Sequence, residues 1–164
     1  MNHPPLHVLF LCTHNAARSL LAEALLNHVG RGRFVAHSAG SQPRGEPHPL
    51  ALRVLREAGI PTAGLASKSW DVFGTPDAPK MDLVITVCDN AAGETCPYWP
   101  GQPATAHWGY ADPSVAEGDE AARLAAFHRT MIAIRQRLEL LVNLPATALD
   151  RLVLQQTARG LASS

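Results

Sequence analysis

The 164-residue chain is 46% hydrophobic and 17% charged, a composition typical of a compact folded domain rather than of a disordered chain. Its formal net charge is zero and it contains no run of Lys or Arg, which argues against a nucleic-acid partner and against an anionic membrane surface. No apolar stretch approaches the roughly 18 residues of a membrane span and no secretory signal is evident, so we expect a cytoplasmic protein.

Two strands and two helices alternate in the first part of the chain. The apolar run over residues 6–11 predicts a strand that is buried on both faces. Apolar residues at helical spacing then predict a helix that ends at Gly30. Residues 34–39 predict a second strand, and a second helix is expected to open at residues 47–49 and to end at Gly59.

The second part of the chain continues this alternation. Residues 65–69, 82–87 and 104–108 predict short strands, of which 82–87 has the clearest pattern. A long apolar stripe over residues 124–141 predicts a core-facing helix, and residues 147–160 predict a last helix.

Strands that alternate with helices indicate a parallel sheet. We therefore predict an α/β fold: a single-domain, three-layer sandwich with a four-stranded parallel sheet and helices on both faces. Ligands of such sheets bind at the carboxyl ends of the strands. Residues that directly follow a strand are therefore the first candidates for a functional site.

The loop after the first predicted strand has the composition of an anion-binding site. Cys12 lies just past that strand, and Arg18 lies in the first turn of the following helix. The residues between them are small or polar: Thr13, His14, Asn15, Ala16 and Ala17. Such a loop can curl so that its backbone N–H groups and the helix N-terminus surround one oxyanion. The guanidinium of Arg18 adds a planar fork of donors.

Cys12 is placed to act as a nucleophile on the bound oxyanion. A helix N-terminus and a nearby cation favour a thiolate over a thiol, and Ser19 is close enough in sequence to donate a hydrogen bond to the sulfur. A thiolate beneath a tetrahedral anion is aimed at its central atom. The simpler interpretation is a buried structural cysteine beside a surface arginine. A Walker-type nucleotide loop is excluded, because no G-x4-G-K-[ST] motif occurs.

The segment CTHNAARS, at a joint between strand and helix, resembles the phosphate-binding loop of the low-molecular-weight protein tyrosine phosphatases. In that family a late Asp-Pro pair supplies the general acid, and Asp112-Pro113 matches it. The resemblance thus implies the phosphatase fold and a role for Asp112 in protonating a leaving oxygen. We expect this domain to cover residues 1–143, with residues 144–164 as a C-terminal helical extension.

Two further cysteines distinguish the chain from a simple phosphatase. Cys88 ends the strand DLVITVC, and Cys96 lies eight residues later in a loop rich in Gly and Pro. Through HVLFLCTHNAARS, VITVCDNAAGETCP and HWGYADPS the chain resembles the arsenate reductases that are built on the phosphatase fold. The resemblance implies a thiol-dependent oxidoreductase that acts in arsenical resistance.

A redox relay is what this resemblance implies. Cys12 would attack arsenate, Cys88 would then attack Cys12 and release arsenite, and Cys96 would complete a Cys88–Cys96 disulfide. Phosphate and sulfate would compete as oxyanions. The disulfide would be reduced by thioredoxin, or by glutaredoxin with glutathione, since the spacing between the two later cysteines is slightly wider than in the best-known thioredoxin-coupled members.

Two other functions stay open. The first is hydrolysis of phosphomonoesters such as phosphotyrosine, in which case Cys88 and Cys96 are inert core thiols; Ser114 stands where that branch usually has an aromatic residue. The second is a non-catalytic, oxyanion-binding regulatory module. Such a module has no need of the combination of Cys12, Arg18 and Asp112.

We expect no cofactor and no metal ion. The chain contains neither an H-E-x-x-H motif nor a C-x-x-C pair. Some relatives implied by the resemblance bind a potassium ion beside the active loop, and Asn15, Glu23 and Ser38 resemble parts of that site. Lys68 stands in the remaining part, and because an ammonium group repels a cation, we predict no potassium there.

Overall fold

The computed structural model describes residues 4–89, 104–144 and 158–161. In chain order these residues form β1 (Leu6–Cys12), α1 (Arg18–Val29), β2 (Phe34–Gly40), α2 (Pro49–Glu57), β3 (Leu83–Thr86), β4 (Ala104–His107) and α3 (Glu120–Val142). Short 3₁₀ turns lie at Trp70–Phe73 and Pro113–Val115. No helix in the described ranges is long and apolar enough to cross a membrane.

The four strands form one parallel sheet in the order β2-β1-β3-β4, which confirms the predicted fold class. Cys12 is opposite Gly40, and Leu11 is opposite Thr86. The carboxyl ends of β1, β2 and β3 therefore meet at one edge of the sheet, where ligands of such folds bind.

Alternate side chains of β1 belong to two separate hydrophobic clusters, because successive residues of a strand point to opposite faces. Val8 and Phe10 belong to the larger cluster, which includes apolar residues of α1, α2 and α3. Leu9 and Leu11 belong to a smaller cluster, which in the described part of the chain is covered by the 3₁₀ turn at Trp70–Phe73. Burial of β1 on both faces fixes the position of its last residue, Cys12.

The predicted strand at residues 65–69 is wrong. The structure has only an isolated parallel bridge there, between Gly40 and Ser69. The Ser69 side chain accepts a hydrogen bond from the N–H of Asp71 at 3.2 Å and caps the 3₁₀ turn, so the chain turns away after one bridge.

The helices and strands of the structure begin and end one to a few residues away from the positions that the apolar patterns predicted. The apolar stripe at 124–141 lies inside a longer helix, because Asp119 caps the first turn by accepting from the N–H of Ala122 at 2.9 Å. Of the predicted helix at 147–160, residues 147–157 lie outside the described part of the chain, while residues 158–160 are helical, as is residue 161. Ala158 is fully buried, and its carbonyl accepts a hydrogen bond from Nε1 of Trp108 at 2.8 Å. The segment that contains Ala158 thus packs on the end of β4.

Candidate active site

Three carbonyl groups of the loop between β1 and α1 point outward. The carbonyls of Thr13, His14 and Ala16 accept hydrogen bonds at 2.8, 2.9 and 2.8 Å from the backbone N–H groups of Gln42, Arg44 and His48, respectively. The C=O and N–H groups of a planar trans peptide point in opposite directions. The N–H groups of His14, Asn15 and Ala17 therefore point into the loop, as in an anion cradle.

Helix α1 begins at the end of this cradle with no capping side chain. Ala17 is its N-cap residue, no side chain caps the N-terminus, and no acidic residue lies in the first turn. The N–H groups of a helix N-terminus need an acceptor, and their partial positive charge favours an anion. The missing cap thus leaves this end of α1 suited to an external oxyanion.

Cys12 lies beneath the cradle, where two donors surround its sulfur. The N–H of Asn15 donates to Sγ at 3.2 Å, and the Ser19 hydroxyl lies 2.9 Å from Sγ, as expected from the sequence. Cys12 is only 2% exposed, yet it lines an open cavity of about 450 Å³. These contacts hold the sulfur at the base of the cradle, where it can attack the central atom of a bound oxyanion.

Asn15 holds the loop in its curled form. Its φ is 46°, in the left-handed region that few non-glycine residues adopt, and asparagine is one of the few that tolerate it. Its Nδ2 donates to Ser19 Oγ at 2.7 Å and to Ser38 Oγ at 3.0 Å, and its Oδ1 accepts from the N–H of Lys68 at 2.9 Å. These three bonds offset the unfavourable backbone conformation.

Gly40 allows the close approach of β2 to the loop. A Cβ atom at this position would lie 2.5 Å from the carbonyl oxygen of Thr13 and 3.0 Å from the backbone nitrogen of Asn15. Any larger residue would therefore push the cradle out of place.

Arg18 and Asp112 face each other across the cavity. Arg18 is 3% exposed; its Nη1 donates to the carbonyl of Tyr110 at 2.9 Å, and its Nη2 lies 3.7 Å from Oδ2 of Asp112. The bond to Tyr110 orients the guanidinium within the site. The late loop is thereby tied to the cradle, which brings the predicted acid near the nucleophile.

Ser114 orients the carboxyl group of Asp112. Oδ1 of Asp112 accepts from the backbone N–H of Ser114 at 2.9 Å and from its hydroxyl at 2.7 Å, so that Oδ2 is the oxygen nearer Arg18. This role of Ser114 was not predicted from the sequence. An Asp-Pro-Ser sequence at the start of a short helical turn is a capping signal that could have indicated it.

The cavity brings together most, but not all, of the residues that the sequence indicated. Those that line it are Cys12, His14, Ala16, Ala17, Arg18 and Asp112, together with Gln42, Pro43, Arg44, Ser114 and Val115. Asn15 and Ser19 are instead fully buried behind the loop. Gln42, Pro43 and Arg44 were not predicted from the sequence as site residues, although their segment follows β2 at the same edge of the sheet.

His48 supports the cradle from behind and remains neutral. Burial lowers its pKa, and the nearby charges of Arg44 and Arg123 lower it further. Its Nδ1 accepts from the N–H of Leu50 at 3.1 Å, while its own backbone N–H holds the carbonyl of Ala16. A neutral imidazole is the form that can accept this bond.

Cys88 lies at the same edge of the sheet as Cys12. It follows β3 by two residues and is fully buried, and the N–H of Val87 donates to the carbonyl of Leu11 at 2.9 Å. Cys88 is disulfide-bonded, whereas Cys12 is a free thiol. Cys96 lies outside the described residues.

Within the described ranges, no group of three or more His, Cys, Asp or Glu side chains is arranged to hold a metal ion. His107 belongs to the packing around β3 and β4: its Nδ1 lies 2.6 Å from Oγ1 of Thr86. Burial lowers the pKa of His107.

Comparison with known proteins identifies the family. The model of the low molecular weight phosphotyrosine protein phosphatase family matches residues 7–153. The chain belongs to this family. The present chain is 36% identical to the arsenate reductase of Bacillus licheniformis over 133 residues. The match covers 80% of this chain and 91% of that protein.

Solved structures agree with this assignment. The crystal structure of arsenate reductase from Archaeoglobus fulgidus has a TM-score of 0.69 and 28% sequence identity, and the match covers 84% of this chain and 99% of that one. The Corynebacterium glutamicum thioredoxin-dependent arsenate reductase has a TM-score of 0.55 and 30% identity, over 85% of this chain and 65% of that one. Both structures thus share the phosphatase-family fold with this protein.

Proposed function

We propose that this protein reduces arsenate to arsenite, with Cys12 as the nucleophile and with a thiol–disulfide relay through Cys88 and Cys96. One observation carries the proposal: a free thiol lies beneath an anion cradle, while a disulfide-bonded cysteine follows the adjacent strand. Hydrolysis of a phosphate ester needs only the first of these thiols. Reduction of an oxyanion needs two electrons, which two thiols supply when they form a disulfide.

In the first step, arsenate binds in the cradle. Its oxygens accept hydrogen bonds from the inward N–H groups of the loop and from the N-terminus of α1, and the guanidinium of Arg18 neutralises part of its charge. The shape and charge of the cradle suit any tetrahedral oxyanion. Phosphate and sulfate therefore compete with arsenate.

In the second step, the Cys12 thiolate forms an S–As bond and one arsenate oxygen leaves. This oxygen is an arsenate hydroxyl; the carboxyl group of Asp112 gives it a second proton, and it departs as water. The bonds from Ser114 to Oδ1 leave Oδ2 as the oxygen nearer Arg18, 3.7 Å from its Nη2. This arrangement supports the acid role of Asp112.

In the third step, the Cys88 thiolate attacks the sulfur of Cys12. The electron pair of the S–As bond stays on arsenic, so As(V) becomes As(III), arsenite leaves and a Cys12–Cys88 disulfide forms. Cys96 then attacks Cys88, which releases Cys12 as a thiolate and forms the Cys88–Cys96 disulfide. A free Cys12 and a disulfide-bonded Cys88 are the states that this relay predicts for these two residues once Cys12 has been released.

The reductant that closes the cycle is thioredoxin. The Corynebacterium glutamicum relative is a thioredoxin-dependent enzyme, which supports this choice. Glutaredoxin with glutathione is the alternative donor. Both donors operate in reducing compartments, in keeping with a cytoplasmic protein.

The relay is tested by arsenite production with thioredoxin, thioredoxin reductase and NADPH. We expect Cys12→Ser, Cys88→Ser and Cys96→Ser each to abolish steady-state turnover, because each removes one step. Hydrolysis of an aryl phosphate serves as the matched control, since Cys88→Ser and Cys96→Ser leave the cradle intact and should retain it. Full arsenate turnover in both of these variants would overturn the relay.

Phosphomonoester hydrolysis is the second candidate function. The chain belongs to the low molecular weight phosphotyrosine protein phosphatase family, and Cys12, Arg18 and Asp112 form a set sufficient for that reaction. The two functions are separated by kcat/KM for arsenate with thioredoxin against kcat/KM for phosphotyrosine. We expect arsenate to be the better substrate.

A further inference from the structure

A buried carboxylate lies directly behind the nucleophile loop. The side chain of Glu23 is only 12% exposed, and burial raises its pKa. Its Oε1 accepts a hydrogen bond from Ser38 Oγ at 2.5 Å and lies 3.5 Å from Nζ of Lys68. A buried carboxylate stays ionised only when a cation or strong donors compensate for the lost water.

Lys68 takes the ligands that a monovalent metal ion would need. Its Nζ donates to the carbonyl of Ala66 at 2.8 Å and lies next to the carboxylate of Glu23. Carbonyl and carboxylate oxygens are the ligands that hard metal cations prefer. The group formed by Asn15, Glu23 and Ser38 therefore does not fit a potassium ion, because an ammonium group already lies against its carboxylate.

We propose that the Lys68 ammonium is a built-in cation that takes the place of an alkali metal ion and positions the Cys12 loop. The main chain and the side chain of Lys68 reach this loop by separate routes. The backbone N–H of Lys68 donates directly to Oδ1 of Asn15 at 2.9 Å. Through its side chain, the Lys68 ammonium pairs with the carboxylate of Glu23, and this carboxylate accepts the hydrogen bond from Ser38.

Ser38 links this charge pair to the loop. Because Ser38 Oγ donates to Glu23, its lone pairs face the Nδ2 of Asn15, which donates to it at 3.0 Å. Asn15 in turn directs its own N–H to Sγ of Cys12 at 3.2 Å. Lys68 is thus a positioning residue: it does not line the Cys12 cavity, and it acts through the left-handed conformation of Asn15.

Any effect of Lys68 on arsenate turnover rests on the proposed function, whereas its role as a cation does not. Thermal unfolding in potassium chloride and in choline chloride of equal ionic strength tests that role directly. We expect the wild type to unfold at the same temperature in both salts. We expect Lys68→Met to unfold at a lower temperature in choline chloride and to recover in potassium chloride, because a ligand that binds only the folded state stabilises it.

Lys80→Met is the matched control, since Lys80 is exposed and lies outside this network. It should behave as the wild type in both salts. Lys68→Arg keeps the charge and should also show no response to potassium. The double variant Glu23→Gln/Lys68→Met removes both charges, so it should fold and should melt at the same temperature in both salts. If Lys68→Met alone does not fold, this double variant tests the proposal in its place.

Binding of inorganic phosphate, measured by calorimetry, tests whether the effect reaches the cradle. We expect the Kd of Lys68→Met for phosphate to rise about tenfold in choline chloride and to return to within about twofold of the wild-type value in potassium chloride, a change of about 1.4 kcal/mol in binding free energy. A wild-type melting temperature that rises specifically with potassium would overturn the proposal. So would a Lys68→Met variant that matches the wild type in every salt, or one that potassium fails to restore.

Discussion

Asn15 connects the nucleophile to the rest of the fold. Its backbone N–H contacts the Cys12 sulfur, while its side chain bonds to Ser19, to Ser38 and to the backbone of Lys68. The loop composition indicated Asn15 as a polar member of an anion-binding loop, and the family resemblance grouped it with Ser38 and Lys68. The hydrogen bonds to these partners, up to 53 residues away, are visible only in the tertiary structure.

Ser114 offers a test of the acid at the same scale. We expect Ser114→Ala to lower kcat for arsenate about fivefold with little change in KM, because Asp112 loses one of two hydrogen bonds and a single such bond contributes about 1 kcal/mol. Steady-state kinetics measure this change. The control is Ser41→Ala, a partly buried serine that lies outside the cavity lining. An unchanged kcat would show that Ser114 does not orient the acid.

At the scale of secondary-structure elements, neighbouring strands carry a histidine pair that makes stability depend on pH. His37 of β2 and His7 of β1 stack with ring centroids 5.2 Å apart, and Nε2 of His37 lies 2.9 Å from Nδ1 of His7. Burial lowers the pKa of His37 to about 4, and nearby His7 and Lys68 add to this effect. In the unfolded chain the same group titrates near a pKa of about 6.5.

Between about pH 6.5 and pH 4, the unfolded chain therefore binds a proton that the folded His37 does not bind. The free energy of unfolding is expected to fall as the pH falls through this window. Below about pH 4, protonation of His37 should lower it no further. His37→Gln should flatten the dependence of the urea midpoint on pH between these values. The exposed His28 supplies the control variant, His28→Gln. Equal slopes for His37→Gln and the wild type would contradict the prediction.

The elements also show which parts of the fold local sequence can predict. The apolar runs of β1 and β3 correctly predicted strands, and the apolar stripe of α3 correctly predicted a helix. Buried side chains recur with a different period in each type of element. The prediction of a strand at residues 65–69 was wrong, because the hydrogen bond from the N–H of Asp71 to the Ser69 side chain starts a 3₁₀ turn at Trp70. Contacts between elements, such as those from residues 42–48 to the cradle, leave no periodic signal in the sequence.

At the scale of the whole molecule, we propose that the predicted C-terminal extension, residues 144–164, contributes to the core beside β4 through residues 158–161. Trp108 and Ala158 are both fully buried, and the indole N–H of Trp108 donates to the carbonyl of Ala158. Arg159 Nε also donates to the carbonyl of Thr105 at 3.3 Å. Residues 158 and 159 thus form hydrogen bonds with β4 and with the residue that follows it.

Removal of residues 145–164 is expected to lower the free energy of unfolding by about 1–3 kcal/mol, the penalty for a buried donor left without a partner. Chemical denaturation measures this difference. A variant that lacks only residues 162–164 should retain the wild-type value, since it keeps Ala158. Equal stability of the longer deletion and the wild type would show that the extension is not part of the core.

Reduction of arsenate depends on the assembled sheet, because Cys12 ends β1 and Cys88 follows the neighbouring strand β3 at the same edge. The most direct measurement gives fully reduced enzyme one equivalent of arsenate, with no reductant, and counts arsenite and free thiols. We expect one arsenite per chain and the loss of two of the three thiols, with Cys12 still free to react with an alkylating reagent. Three remaining thiols with no arsenite formed would rule out the relay.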